Sequence, residues 1–534
     1  MIAAAGVCAA CLGWGLRAGQ KVRARPSSAA RKPAAATDAS RLRARIESIL
    51  KQSPAEQAYW GALIVDRDTG NVLYDRNADH FFAPASNAKL FTTAFALSAL
   101  GPEYRFRTTL ESNGALGADG HLSGNLILIG RGDPDISNRK FPTTGHAEHD
   151  GAVDKVLGEL ADAAVAKGLR AVDGDIVADD SYLPYDPYPA GWTDGDLFFT
   201  FGAPVSAIAF NDNTFSITVQ AGARAGDPAV LGVSPAAAAG TFGDEITTSE
   251  PGGQPDIAVV RQASPDFILV RGSIPMGHAP LRIDLAMSEP DEIAARTLRE
   301  LLEARGVHVA GQTSTQHSPP PITTAEGDPV VPAHFAPLPE AYPLVLAEHM
   351  SQPLIESIRA TNKLSLNSHA ELFLRVAARE KTGVGSAAMG LKLEREFLKG
   401  AGIADGDVVL SDGSGLARDD LVTPRAVVQL LRYAASQAWG ARFASTLPIA
   451  GVDGTLDNRL EGARAGGLIQ AKTGSLEDVH SISGYASTAG GEYLVFAIFE
   501  NNDPRHGRDA TAGLDSICEA MVESPGAAPG RQKK

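Results

Sequence analysis

The chain has 534 residues, 44% of them hydrophobic and 21% charged, with a formal net charge of −15 at pH 7. This composition is typical of a globular protein, and the length exceeds that of one ordinary domain, so we expect two or more domains. The acidic balance, without an arginine-rich stripe or a basic patch interleaved with aromatic residues in the body of the chain, argues against nucleic-acid binding.

The two ends of the chain are predicted to lie outside the folded domains. Residues 1–16 are apolar and rich in small residues, which is typical of the hydrophobic part of an export signal. Residues 17–40 are basic, rich in Ala and Pro and without apolar periodicity, which predicts a disordered spacer, and 524–534 are predicted to be a disordered tail. Because no basic segment precedes residues 1–16, the alternative interpretations are a true start further upstream and an uncleaved membrane anchor.

The first candidate site residues, Ser86 and Lys89, are predicted to begin a buried helix. A hairpin of residues 61–66 and 72–74 precedes them, and its sheet partners are expected near the C-terminus. After Pro84, apolar residues recur at helical spacing: Leu90, Phe91, Ala94, Leu97 and Leu100. Residues three apart share one face of a helix, so Lys89 Nζ can reach Ser86 Oγ. This pair predicts a serine nucleophile beside a base.

The middle of the chain, residues 104–343, differs from the flanking segments in its sequence pattern and is predicted to be an insert. Short β-rich runs such as 126–129 and 267–270 are punctuated by Gly, Pro and Asp, and helical patches at 153–167 and 292–305 make the region mixed. The catalytic domain is therefore predicted to be discontinuous, formed by residues 41–103 and 344–523.

Two further strings follow the insert. Ser365-Leu366-Asn367 precedes a helical run, and Lys472-Thr473-Gly474-Ser475 follows the apolar run 468–471 and precedes strands predicted at 482–486 and 493–499. Another Lys-Thr-Gly string, at 381–383, closes a helix, where Gly383 suits the C-terminal cap, so it is interpreted as structural. Serine-x-x-lysine, serine-x-asparagine and lysine-threonine-glycine together are a recognised pattern of penicillin-binding proteins and related β-lactamases.

The first two strings carry groups suited to acyl transfer. Lys89 must be neutral to accept the proton of Ser86, and burial beside a cation such as Lys472 favours the neutral form. Ser365 is placed to relay a proton to the leaving amine, and Asn367 offers an amide donor and an acceptor to the substrate backbone. For Ser86 and Ser365 the alternative interpretation is helix capping.

The third string carries groups suited to substrate recognition. Lys472 and Thr473 suit binding of a free C-terminal carboxylate, because a cation and a hydroxyl both bind carboxylate oxygens. Gly474 permits a substrate to approach the strand closely. Ser475 offers a hydroxyl and a backbone N–H.

The chain as a whole resembles the low-molecular-mass class C penicillin-binding proteins, the S13 family of D-alanyl-D-alanine carboxypeptidases and endopeptidases. Besides the three strings, the resemblance rests on segments spread over nearly the whole chain: 132–134, 179–182, 188–192, 202–207, 211–213, 412–416 and 422–424. Two positions depart from the family pattern, since Leu366 stands where Asp is common and Ser475 stands where Thr is common. Both departures keep the reactive atoms.

The resemblance implies an α/β (α+β) domain of the serine β-lactamase and DD-peptidase type. Its antiparallel sheet with flanking helices would be interrupted by a large β-rich insert of two subdomains. Ser86 would attack the carbonyl between two D-alanines of a peptidoglycan stem peptide, with the backbone N–H groups of Ser86 and Ser475 as the oxyanion hole. β-Lactams, which mimic the D-alanyl-D-alanine terminus, would acylate Ser86.

We therefore predict a serine D-alanyl-D-alanine carboxypeptidase that is periplasmic or secreted, with endopeptidase activity on D-alanyl cross-links as an open addition. The alternatives are a β-lactamase or esterase that uses the same site, and a non-catalytic scaffold that binds the cell wall. No metal and no organic cofactor is expected, and the three cysteines are too few and too poorly spaced for a zinc ribbon. The sequence predicts no oligomeric state.

Overall fold

The computed structural model describes residues 32–524, apart from 53–54, 144, 147–148, 262–266, 325–328, 331–341, 462–464, 504 and 506–507. The predicted export signal at 1–16, the spacer up to residue 31 and the tail from residue 525 lie outside the described residues. Within the described part of the chain, no helix is long and apolar enough to cross a membrane.

The chain begins with a helix, a hairpin and the helix that follows Ser86. These elements are α1 (Lys32–Leu50), β1 (Tyr59–Asp66), β2 (Val72–Arg76) and α2 (Lys89–Leu100). Because α1 starts at Lys32, the prediction of a disordered spacer is wrong for residues 32–40. The apolar residues that dock the helix, at four-residue spacing, lie beyond the predicted spacer: Leu42, Ile46 and Leu50. The composition of 17–40 therefore gave no sign of the helix.

The insert is built from short strands and two helices. In chain order these are β3 (Arg107–Ser112), β4 (His121–Leu122), β5 (Leu126–Ile129), α3 (Lys155–Ala166), β6 (Ala171–Val172), β7 (Ile176–Pro184), β8 (Thr214–Gln220), β9 (Val230–Ser234), β10 (Thr241–Ser249), β11 (Asp256–Arg261), β12 (Phe267–Pro275), β13 (Leu281–Ala286), α4 (Pro290–Ala304), β14 (His308–Val309), β15 (Thr313–Ser318), β16 (Ile322–Thr323) and β17 (Pro329–Val330).

The remainder of the chain returns to the domain that carries Ser86. Its elements are β18 (Leu344–Met350), α5 (Leu354–Leu364), α6 (Asn367–Thr382), α7 (Ala387–Gly400), β19 (Val408–Val409), β20 (Leu421–Val422), α8 (Pro424–Ser436), α9 (Gly440–Thr446), β21 (Ile469–Leu476), β22 (Val479–Ser487), β23 (Tyr493–Asn501) and α10 (Arg508–Val522). Gly383 caps α6 in a left-handed conformation, φ 80°, which is the role expected of the structural Lys-Thr-Gly string.

The insert contains one large sheet and several small ones. The large sheet has the order β15-β7-β5-β3-β18, and two three-stranded sheets have the orders β13-β8-β9 and β10-β12-β11. β18 pairs antiparallel with β3. The boundary predicted at residue 344 therefore separates β18 from the sheet to which it belongs. Local composition could not show this, because the partner of a strand is set by long-range pairing.

The domain that carries Ser86 has three layers, with a five-stranded sheet of order β2-β1-β23-β22-β21 in the middle. Successive strand residues face opposite sides of a sheet, so Trp60, Ala62 and Ile64 of β1 pack in a core with α1 and α10. Leu63 and Val65 face the other way, into a core with α2, α5, α6 and α8. The sheet pairs β1 antiparallel with β23, and the predicted antiparallel sheet with flanking helices is confirmed.

Candidate active site

Ser86 lies in a tight turn between the sheet and α2. The turn is a short 3-10 helix that begins at Ala85, whose φ of 47° is a left-handed conformation costly for alanine. Ser481 Oγ donates to Pro84 O at 2.8 Å, and Asn87 Nδ2 donates to Ser481 Oγ at 2.5 Å. Strand β22 thus anchors the strained turn on both sides of Ser86.

Lys89, the first residue of α2, directs its amino group at three oxygen atoms. Nζ lies 2.9 Å from Ser86 Oγ, 2.6 Å from Asn367 Oδ1 and 2.6 Å from the carbonyl oxygen of Ser414. Burial lowers the pKa of Lys89 from 10.5 to about 8, although nearby carboxyl groups, first that of Asp412, act in the opposite direction. About half of the Lys89 amines are therefore neutral near pH 8 and about a tenth near pH 7.

The Ser365-Leu366-Asn367 string forms the junction between α5 and α6. Ser365 ends α5 in a left-handed conformation, φ 62°, and Asn367 is the first residue of α6. Both polar ends of the Asn367 amide have protein partners, since Oδ1 accepts from Lys89 and Nδ2 donates to the carbonyl oxygen of Phe201 at 2.8 Å. Asn367 was expected to offer both ends to a substrate, whereas its oxygen is already engaged by Lys89.

Lys472 lies on β21, the edge strand of the sheet, with its side chain fully buried. Nζ donates to Ser365 Oγ at 2.9 Å and to the carbonyl oxygen of Thr473 at 2.7 Å. Burial, followed by the charge of Lys89, holds the pKa of Lys472 well below its ordinary value. Lys472 was expected to lower the pKa of Lys89, whereas the charge of Lys89 lowers the pKa of Lys472, and burial lowers the pKa of Lys89.

Of the rest of the β21 string, Gly474 packs against the Ser86 turn. Thr473 Oγ1 lies 2.6 Å from Thr455 Oγ1, and Ser475 is exposed. A Cβ at Gly474 would lie 2.7 Å from Pro84 O and 2.9 Å from Ser86 N, so only glycine lets the strand lie this close to the turn. Gly474 was expected to let a substrate approach the strand closely. In the structure it is the protein's own Ser86 segment that approaches Gly474 closely.

The loop 412–417 is a part of the site whose contacts the sequence analysis missed. Asp412 accepts hydrogen bonds from four consecutive backbone N–H groups at 414–417 and from Trp192 Nε1 at 2.8 Å. This arrangement presents the carbonyl oxygen of Ser414 to Lys89. A Cβ at Gly415 would lie 1.9 Å from Ala85 O. The string Asp-Gly-Ser-Gly was noticed as a family feature, but a backbone carbonyl ligand leaves no side-chain signal.

Comparison with known proteins shows the family to which the chain belongs. The model of the D-Ala-D-Ala carboxypeptidase 3 (S13) family matches residues 42–342 and 339–521. A D-alanyl-D-alanine carboxypeptidase from Actinomadura sp. is 32% identical over 91% of this chain and 85% of its own length. A D-alanyl-D-alanine carboxypeptidase from Haemophilus influenzae is 28% identical over 85% of this chain and 88% of its own length.

The fold is likewise that of a solved penicillin-binding protein. The crystal structure of penicillin binding protein 4 from Haemophilus influenzae aligns with a TM-score of 0.73 and 26% identity, covering 89% of this chain and 97% of that one. These matches span the insert as well as both parts of the domain that carries Ser86. The chain belongs to the D-Ala-D-Ala carboxypeptidase 3 (S13) family, and the predicted serine-type D-Ala-D-Ala carboxypeptidase is confirmed at the level of that family.

Proposed function

We propose that Ser86 is the nucleophile with which this carboxypeptidase cleaves the terminal D-alanine from peptidoglycan stem peptides. The observation that carries the proposal is the convergence of Lys89 Nζ on Ser86 Oγ, Asn367 Oδ1 and Ser414 O. A neutral amine has two N–H donors and one lone pair. Two of its three partners are carbonyl-type oxygens that can only accept, so the lone pair remains for the Ser86 hydroxyl proton.

The reaction proceeds in two acyl transfers. Ser86 Oγ attacks the carbonyl carbon between the two D-alanines while Lys89 takes the hydroxyl proton, and the C–N bond breaks to leave an ester on Ser86. The departing amine takes a proton and leaves as free D-alanine. Lys89 passes the proton that it took to the Ser365 and Lys472 pair, which replaces the proton given to the amine and leaves Lys89 neutral again. Water then attacks the ester while Lys89 takes one of its protons, and this proton moves to Ser86 Oγ as the ester C–O bond breaks, which releases the shortened peptide and restores Ser86.

Ser365 is proposed to deliver the proton to the departing amine. Its hydroxyl accepts from Lys472 Nζ at 2.9 Å, so a proton that leaves Ser365 can be replaced from Lys472 once the substrate carboxylate has restored the charged form of that lysine. The strained left-handed backbone of Ser365 is consistent with a residue held for function, because such conformations cost of order 1–3 kcal/mol.

Substrate binding is assigned to the β21 string. An edge strand can add an extended peptide as a further strand, and the Thr473 and Ser475 hydroxyls would bind that peptide. The backbone N–H groups of Ser86 and Ser475 would bind the developing oxyanion. A substrate carboxylate near Lys472 would restore the charged form of that lysine, which accounts for a preference for free C-termini.

We also propose that β-lactams acylate Ser86, that the enzyme works outside the cytoplasm on the cell wall, and that residues 1–16 direct its export. Cleavage of D-alanyl cross-links is proposed as a second activity of the same acyl-enzyme route. Membrane association through an uncleaved N-terminus remains the alternative to a soluble exported form.

The test uses intact-protein mass spectrometry and a peptide assay. After incubation with benzylpenicillin, the wild type should gain the mass of one penicillin and Ser86→Ala should gain none. A peptide ending in D-Ala-D-Ala should release D-alanine, whereas the same peptide with a C-terminal amide should not. An adduct on Ser86→Ala, or equal cleavage of the amidated peptide, would overturn the assignment.

A further inference from the structure

The insert contacts both helices that meet at the Ser365 junction. Asp135 Oδ1 accepts from Ser357 Oγ of α5 at 3.2 Å, and the other oxygen of Asp135 accepts from the backbone N–H of Gln352, just before that helix. On the α6 side, the carbonyl oxygen of Phe201 accepts from Asn367 Nδ2 at 2.8 Å. The geometry of the junction therefore depends on the insert as well as on the catalytic domain.

The strongest of these connections runs through Asp212 of the insert. Its Oδ1 lies 2.8 Å from His369 Nε2, and its other oxygen forms an ion pair with Arg139. Both members of the His–Asp pair are buried, with exposed fractions of 9% for Asp212 and 2% for His369. His369 belongs to the first turn of α6, two residues after Asn367.

The backbone around Asp212 is shaped for this contact. Asn211, Asp212 and Asn213 all adopt left-handed conformations, with φ values of 50°, 54° and 57°. Asn and Asp tolerate this region best among non-glycine residues, but three in succession are unusual and must be held by their surroundings. Ser137 Oγ accepts from the Asp212 N–H at 2.9 Å, and Asn213 Nδ2 donates to Pro204 O at 2.8 Å.

The charges fix the direction of the hydrogen bond. Burial alone would raise the pKa of Asp212, but the positive charge of Arg139 and the contact with His369 hold it below its ordinary value. Asp212 is therefore an ionised acceptor, and His369 Nε2 must carry the proton that it donates. A charge-assisted hydrogen bond of this kind is stronger and shorter than a neutral one, so it constrains the ring firmly.

We infer that Asp212 is a positioning residue for the acyl transfer, acting through His369 to fix the first turn of α6 and thereby the contact of Asn367 Oδ1 with Lys89 Nζ. Asp212 touches no reacting atom. Its effect passes from the insert to His369, from His369 to the helix turn that carries Asn367, and from Asn367 to the base. The inference rests on the proposed function of Ser86 and Lys89, and it gives the insert a defined part in catalysis.

The test compares two replacements of His369 with a matched control. His369→Phe fills the space of the ring but cannot donate, and His369→Gln keeps an N–H donor. The control is His317→Phe, because His317 Nδ1 also lies 2.8 Å from an aspartate of the insert, Asp180, and His317 lies outside α6. For each variant, the second-order rate constant of acylation by benzylpenicillin is measured together with the thermal midpoint and the folded fraction.

We expect His369→Phe to slow acylation about tenfold or more, since small misplacements of a catalytic group have effects of up to ~100-fold. His369→Gln should stay within about threefold of the wild type, and His317→Phe should leave acylation unchanged even where its thermal midpoint falls. Normal acylation by His369→Phe would overturn this inference and would leave the proposed function of Ser86 intact. If His317→Phe also slows acylation, in proportion to the stability that it loses, general destabilisation would explain the slow acylation of His369→Phe. That result would overturn the inference too. If the wild type forms no adduct, the proposed function fails and the inference fails with it.

Discussion

Replacing Gly474 by alanine is expected to disable Ser86 by pressing on its turn. The added Cβ would lie 2.4 Å from Ser481 Oγ, 2.7 Å from Pro84 O and 2.9 Å from Ser86 N, whereas ordinary Cβ contacts begin at 3.4 Å. To reach 3.4 Å from 2.7 Å, Pro84 O would have to retreat by about 0.7 Å. Overpacking of this kind costs ~1–3 kcal/mol of stability, and a shift of ~1 Å at a reacting group can slow a reaction ~100-fold.

The assay is the rate of benzylpenicillin acylation, followed by intact mass, beside a urea unfolding curve. Gly400→Ala is the matched control, because Gly400 ends α7 and a Cβ there meets no atom within 4 Å. We expect the control to acylate normally and to unfold at the same or slightly higher urea concentration. If folded Gly474→Ala acylates within threefold of the wild type, the close packing of β21 on the Ser86 turn does not control the position of Ser86.

Three further predictions concern the ionisable groups around Ser86. Since burial sets the pKa of Lys89 at about 8 and only the neutral amine accepts a proton, acylation should slow about tenfold per pH unit below pH 8; a flat profile would contradict this. Burial, followed by Asp412, raises the pKa of Glu371 from 4.5 to about 8, so the folded state holds this proton more tightly than the unfolded state. Stability from this group is present below about pH 4.5 and is lost as the pH rises through about 8. Glu371→Gln should therefore gain stability relative to the wild type at pH 8 but not at pH 4, as measured by urea unfolding. Asp412→Ala should lose more than ~3 kcal/mol in the same experiment, because it leaves buried N–H groups at 414–417 unpaired at ~1–3 kcal/mol each; a loss below ~1 kcal/mol would show that water replaces the carboxylate.

The parts of the site that the sequence predicted are those with local or side-chain signals. Ser86 and Lys89 are three residues apart at the start of a helix, so their contact follows from helix geometry alone. The direction of the Lys472 side chain does not, because it depends on the pairing of β21 with a strand and on the position of Ser365 across the cleft. The same holds for Ser414, whose contribution is a backbone oxygen brought to Lys89 across 325 positions of the chain.

The insert forms hydrogen bonds with the segments that surround Lys89. Asn367 Nδ2 donates to Phe201 O, Trp192 Nε1 donates to Asp412 Oδ2, and His369 pairs with Asp212, so two segments of the candidate site, the first turn of α6 and the loop 412–417, have hydrogen-bond partners in the insert. Asn367, Asp412, His369 and Asp212 are buried, and a buried polar group that loses its partner costs ~1–3 kcal/mol. Losing all three would consume a large part of the ~5–15 kcal/mol that stabilises an ordinary domain. The two parts of the chain that flank the insert therefore need it to hold the geometry around Lys89.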